Sequence, residues 1–159
     1  MIKTLLTLFL ATLLVPALVL GQPTGKAPTF KLKTADGKTI DLQKLHGKVV
    51  VVNFWATWCG PCKAEIPGFQ EMYKQYKAKG LEIIGVSLDR DGWTPVKPFV
   101  AQHKIAYPIV IGDGDLAEAY GGIDAIPTTF IIDKKGNIVN HHVGYLDKGA
   151  FENLIKGLL

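Results

Sequence analysis

Apolar positions fall into a few sharply different patterns along this chain. Leu5 to Leu20 is nearly all apolar and stands behind one basic residue, Lys3. Val49 to Phe54 is a second run, rich in β-branched side chains and interrupted only by Asn53, which predicts a strand buried on both faces. Leu81 to Leu88 predicts another buried strand. Between the two, apolar residues recur at helical spacing from the cysteines to about Lys79. At about 100° per residue, Cys62, Ile66, Phe69, Met72, Tyr73 and Tyr76 form one stripe, with Lys63, Glu71, Lys74 and Lys77 opposite. Gly80 is the expected stop. Strand, helix and strand in that order predict a right-handed parallel crossover.

The remaining pattern is shorter in period. Thr29 to Lys33 predicts an edge strand, Ala35 to Lys38 a turn, and Thr39 to Leu42 the return. Asp89 to Lys104, with Trp93, Pro95 and Pro98, predicts a loop and a helix. Tyr107 to Ile111 predicts a short strand and Asp115 to Tyr120 a short helix. Thr128–Asp133 and Asn137–Val143 predict a hairpin across Lys134-Lys135-Gly136, and the last helix carries Phe151, Leu154, Ile155, Leu158 and Leu159 on one stripe. The expected class is α/β, a central mixed sheet with helices on both faces. No internal repeat interrupts it.

The N-terminal run changes the picture of where this domain works. A short basic region, an apolar stretch and Gly21-Gln22-Pro23 predict a secretory signal over residues 1–21, cut after Gly21, with an uncleaved anchor as the alternative. The domain proper is then residues 22–159, placed in the periplasm or elsewhere outside the cytoplasm. Absence of a cysteine after the apolar run argues against a lipid anchor. Of 18 basic and 14 acidic side chains, only Lys3 lies in residues 1–21, so the domain carries +3. Its lysines are scattered, which argues against a nucleic-acid partner.

The chain has two cysteines, Cys59 and Cys62, in Trp58-Cys59-Gly60-Pro61-Cys62. Thiols three residues apart on one helical turn can meet only each other. A disulfide closing so short a loop adds little cross-linking entropy, so the pair is better suited to exchanging two electrons than to holding a fold. The strand before and helix after put Cys59 at a helix N-terminus, where unpaired N–H groups stabilise a thiolate. A zinc site lacks further ligands. Glu65 falls within about 45° of the centre of the apolar stripe, one turn from Cys62. A carboxylate facing a core is costly unless used or paired, and burial would raise its pKa toward that of a general base for Cys62. The alternative is a glutamate near a helix start that reaches solvent. Pro67 is expected to kink the helix by removing one hydrogen bond. Trp55 reads as core and Trp58 as exposed contact surface beside Cys59. His46, His103, His141 and His142 fall in turns or at a strand end. His141 and His142 alternate faces, so no metal is expected there.

Val52-Asn-Phe-Trp55-Ala-Thr-Trp58-Cys59-Gly-Pro-Cys62-Lys63 resembles the active-site stretch of thioredoxins. The continuation Cys62-Lys-Ala-Glu65-Ile-Pro67, the segment after Leu88 and the signal resemble the extracytoplasmic TlpA/ResA/DsbE branch. The likeness spans about Ala27 to Leu159. It implies a thioredoxin-like fold with an N-terminal extension and an αβ insertion, and no cofactor. It implies Cys59 as the attacking thiol, Cys62 as the resolving one, and an acidic residue beneath them at Glu65. Thioredoxins hold a buried aspartate where this chain has Asn53. The resemblance further implies a cis bond before Pro127, with Ile126 pairing to substrate backbone beside Trp58, Gly60 and Pro61. The Gly-Pro pair is that of reducing thioredoxins, at about −270 mV, rather than of strong oxidants near −120 mV. The expected partners are protein disulfides, apocytochrome c among them, and a membrane thiol–disulfide electron donor.

Two other readings stay open. Ala27-Pro28-Thr29-Phe30 and Gly37 resemble the start of peroxiredoxins, although a thiol peroxidase loop needs Pro-x-x-x-Thr/Ser-x-x-Cys, and Thr57 stands two residues before Cys59, not three. The thiols could also serve a non-enzymatic copper-binding module, without the added Met or His ligands expected near such a pair.

Overall fold

The computed structural model describes residues 25–159, so the expected signal over residues 1–21 lies outside the described residues. Eight strands and four helices follow in chain order. They are β1 (Gly25–Lys26), β2 (Lys31–Lys33), β3 (Thr39–Asp41), β4 (Val49–Trp55), α1 (Gly60–Tyr76), β5 (Leu81–Ser87), α2 (Trp93–Gln102), β6 (Ile109–Ile111), α3 (Gly114–Ala119), β7 (Thr128–Ile132), β8 (Asn137–Val143) and α4 (Lys148–Lys156). The main sheet has the order β1-β8-β7-β4-β5-β6, while β2 and β3 form a separate hairpin. β4 runs parallel to β5 and antiparallel to β7, so the sheet is mixed.

Alternation along β4 divides the core in two. Val49, Val51 and Trp55 face the side packed by α1 and α4, while Val50, Val52 and Phe54 face the side of Leu116, Tyr120 and Leu42. Asn53 shares the parity of the first set, so its amide is aimed beneath α1. Every residue of the apolar stripe of α1, from Cys62 to Tyr76, is buried, and Glu65 is buried with them. Phe69 of α1 meets Phe151 of α4 with ring centroids 4.6 Å apart, tying the last helix to the helix that carries the cysteines.

Several boundaries differ from those the sequence predicts. β6 begins at Ile109 rather than Tyr107, because Pro108 has no N–H for the ladder. β2 begins at Lys31 rather than Thr29, the Phe30 carbonyl instead accepting from Leu42 N–H at 3.1 Å. α1 gives way at Lys77 to a 3₁₀ turn, and Gly80 then adopts φ 98°, a left-handed stop that glycine tolerates. Pro67 lies within α1, which continues past it to Tyr76. β1, two residues long, has no sequence signature and is placed by its pairing with Asn137 and Ile138.

Candidate active site

Cys59 is the N-cap of α1, with extended backbone before the first turn. Its Sγ accepts from the Cys62 N–H at 3.2 Å, and its carbonyl accepts from the Lys63 N–H at 3.1 Å. Pro61 sits where a missing N–H loses nothing. The Cys62 N–H and the positive end of the helix dipole therefore meet at this sulfur, the setting that favours a thiolate. Cys59 and Cys62 are joined as a disulfide with Cα atoms 5.3 Å apart. Cys59 is 5% exposed and Cys62 1%, so the first thiol is the more accessible of the two.

Cys59 adjoins exposed apolar surface at Trp58. Trp58 is 69% exposed, while Trp55 is core, as the sequence predicts. Gly60 and Pro61 are exposed, and nothing stands within 4 Å of where a Gly60 side chain would begin. The Ile126–Pro127 peptide is cis. The Ile126 carbonyl oxygen lies 3.6 Å from Cys59 Sγ, an acceptor for the thiol once the pair is reduced. The Gly144 N–H donates to the Pro127 carbonyl at 2.8 Å, which brings exposed Val143 and Tyr145 alongside the same loop. Sequence reasoning missed these two, because their exposure depends on where β8 ends.

Beneath the cysteines, Glu65 is 3% exposed. Oε1 accepts from Asn53 Nδ2 at 2.8 Å and Oε2 from the Leu146 N–H at 3.2 Å. Burial pushes its pKa from an ordinary 4.5 up to about 7, and those two hydrogen bonds only partly oppose the rise. Burial, with the same negative charge as a lesser cause, raises the pKa of the Tyr107 hydroxyl. Asn53 Nδ2 also donates to Thr129 Oγ1 at 3.0 Å.

A second buried carboxylate, Asp89, was not singled out by the sequence. Its Oδ2 accepts from the Thr57 N–H at 3.0 Å and from Ser87 Oγ at 2.8 Å, and its Oδ1 from Thr57 Oγ1 at 2.6 Å. It thus ties the end of β5 to the residue two positions before Cys59. The histidines are placed otherwise: His141 stacks on Phe130, His103 on Phe99, and His142 Nε2 meets the Tyr145 carbonyl. Among the described residues no three His, Cys, Asp or Glu side chains gather as a metal site. No helix among them is long and apolar enough to cross a membrane.

Comparison with known proteins places this geometry in context. The profile of the AhpC/TSA family matches residues 23–141. The thiol-disulfide oxidoreductase ResA of Bacillus anthracis is 40% identical over 131 residues, covering 82% of this chain and 75% of that protein. ResA of Bacillus subtilis (strain 168) is 37% identical over 134 residues, covering 82% and 74%. A crystal structure from Chlorobium tepidum, described as the thiol:disulfide interchange protein DsbE, superposes with a TM-score of 0.79 at 35% identity, covering 85% of this chain and 96% of that one.

Proposed function

Since this chain belongs to the AhpC/TSA family, and within it to the thioredoxin-like thiol–disulfide oxidoreductases of the ResA and DsbE type, we propose that it reduces disulfides of proteins outside the cytoplasm. The observation that carries this reading is the placement of Cys59 Sγ at a helix N-terminus, 3.6 Å from the Ile126 carbonyl, above a buried carboxylate.

In this reading the Cys59 thiolate attacks a substrate disulfide, forming a mixed disulfide and releasing one substrate thiol. Trp58, Gly60, Pro61, Ile126 and Pro127 hold the substrate chain. The Cys62 thiol gives its proton to Glu65, and the resulting thiolate attacks Cys59 sulfur. The second substrate thiol leaves, and the protein keeps the Cys59–Cys62 disulfide. Two electrons have passed to the substrate, and a membrane thiol carrier must return them, because an oxidising compartment will not. Residues 1–21 direct the domain 22–159 there, and apocytochrome c before haem attachment is the proposed substrate.

The decisive experiment is trapping. In a Cys62→Ser variant, mixed disulfides with substrate proteins should accumulate through Cys59, and Cys59→Ser should abolish reduction. Mass spectrometry of the adducts checks both. Adducts through Cys62 in Cys59→Ser would reverse the roles. The family match adds support to the peroxidase reading. Thr57 instead bonds Asp89 through both its N–H and its hydroxyl, away from a peroxide-binding role. Rapid peroxide consumption by the reduced protein would favour that reading.

A further inference from the structure

Glu65, Asn53 and Thr129 form a chain of side chains that are 3%, 3% and 0% exposed. Both amide hydrogens of Asn53 are engaged, one toward Glu65 Oε1 at 2.8 Å and one toward Thr129 Oγ1 at 3.0 Å. That arrangement suits a carboxylate, which only accepts. It does not suit Thr129, whose hydroxyl serves as an acceptor and donates to nothing among the described residues. Nor does it offer an acceptor to a protonated Glu65, and in a dry site an unsatisfied O–H is costly.

Half a turn of the Asn53 carboxamide about its last torsion reverses every role. Oδ1 then faces both neighbours and accepts from the Thr129 O–H and from the O–H of a neutral Glu65. The two ends of a carboxamide are nearly equal in size, so packing is unchanged. An aspartate at this position could not do this, because it would add a second charge to the same dry space.

We propose that Asn53 is a positioning residue that turns over, with the Thr129 hydroxyl, each time Glu65 takes or gives up a proton. The inference rests on the reading of Glu65 as proton acceptor for Cys62. Its mechanistic content is that the acid is fully hydrogen-bonded in both protonation states. The proton leaving Cys62 therefore arrives at an acid whose O–H has an acceptor, and on its departure the Asn53 amide donates to the carboxylate again.

Other titratable groups face this chain. Cys59 and Cys62 lie at the start of α1, the Tyr107 hydroxyl feels the Glu65 charge, and His142 on β8 stands directly opposite Thr129. Testing the disulfide form silences the cysteines. In ¹³C,¹⁵N-labelled oxidised protein titrated from about pH 5 to 9, around the ordinary range of a buried carboxyl, the Glu65 carboxyl carbon should titrate. The nuclear Overhauser contacts from the Asn53 side-chain amide protons to the Thr129 methyl should be strong above that midpoint and lost below it. In Glu65→Gln that pH dependence should vanish; its persistence would assign it to a group other than Glu65 and overturn the proposal.

The failures separate cleanly. A Glu65 carbon that titrates beside unchanging Asn53 contacts sinks this inference alone. A Glu65 carbon that does not titrate sinks the acid–base role as well. Kinetically, Asn53→Leu should slow Cys62-dependent product release by about tenfold and move its pH midpoint upward, leaving Cys59 attack in a Cys62→Ser background near its original rate. An unmoved midpoint would count against the proposal.

Discussion

Glu65 binds a proton more tightly in the folded chain than an exposed glutamate does, and that has a sign as well as a size. Its pKa is raised from an ordinary 4.5 to about 7 by burial. The unfolded chain loses this proton first, so folding stability falls as pH climbs from the ordinary value to the raised one. The full loss is on the order of 3 kcal/mol. Glu65→Gln removes it, and the amide can be accepted by a turned Asn53 while its oxygen still takes the Leu146 N–H. The variant should match the parent near pH 5 and be more stable near pH 8, with a flatter profile between; urea midpoints of the oxidised proteins at both pH values check this. Equal pH dependence in the two would show Glu65 to be effectively solvated. Turnover should nevertheless drop about 10- to 100-fold, toward the lower end of what acid–base catalysis supplies, mainly in the Cys62 step by stopped flow. Glu65 was legible because helical periodicity alone put it on the apolar side. Its partner Leu146 was not, because nothing local marks a backbone N–H 81 residues away.

The start of α1 depends on how its first turn is delivered. Asp89, 5% exposed, clamps Thr57 to the end of β5 through three accepted hydrogen bonds. Asp89→Ala leaves buried donors unpaired and should lower stability by at least about 2 kcal/mol. It should also slow Cys59 attack, since a cap displaced by about an ångström changes the presentation of the sulfur. Asp89→Asn can keep the Thr57 N–H bond and donate back to its hydroxyl, so it should recover most of both. Denaturant melts and single-turnover rates decide, and an asparagine as damaging as alanine would mean that charge matters here rather than geometry. β4 and α1 were readable as elements because their apolar periods, continuous and helical, differ unmistakably. The clamp was not, because Asp89 stands in a polar loop where an aspartate has many ordinary uses. β6 was misjudged at its start because Pro108 reads as apolar but has no N–H to donate, its carbonyl alone accepting from the Gly85 N–H at 2.9 Å.

At the scale of the whole molecule, the mixed sheet gathers the site from segments spread over most of the chain, and in the proposed function the N-terminal run decides where it operates. The first pairing among the described residues is Gly25 with Ile138, so deletion of residues 1–21 should leave the domain folded with its reductase activity. Residues 1–21 fused to a reporter active only outside the cytoplasm should give signal, and the mature protein should begin near Gln22 by N-terminal sequencing; a silent reporter would refute the proposed address. The assignment of a central mixed α/β sheet was legible from strand–helix–strand order; the cis peptide before Pro127 was expected only through the family resemblance, and the β1 pairing became visible only in three dimensions. The long reach of the acid's contacts has one more consequence. Glu65 is held by Asn53, 12 residues before it, which bonds Thr129 another 76 residues along, and by Leu146 near the C-terminus. A chain still being made, or held open in transit, has both thiols but not yet the buried carboxylate beneath them. In the proposed function, the Cys62 step therefore gains its assistance last, when the turn after β8 closes.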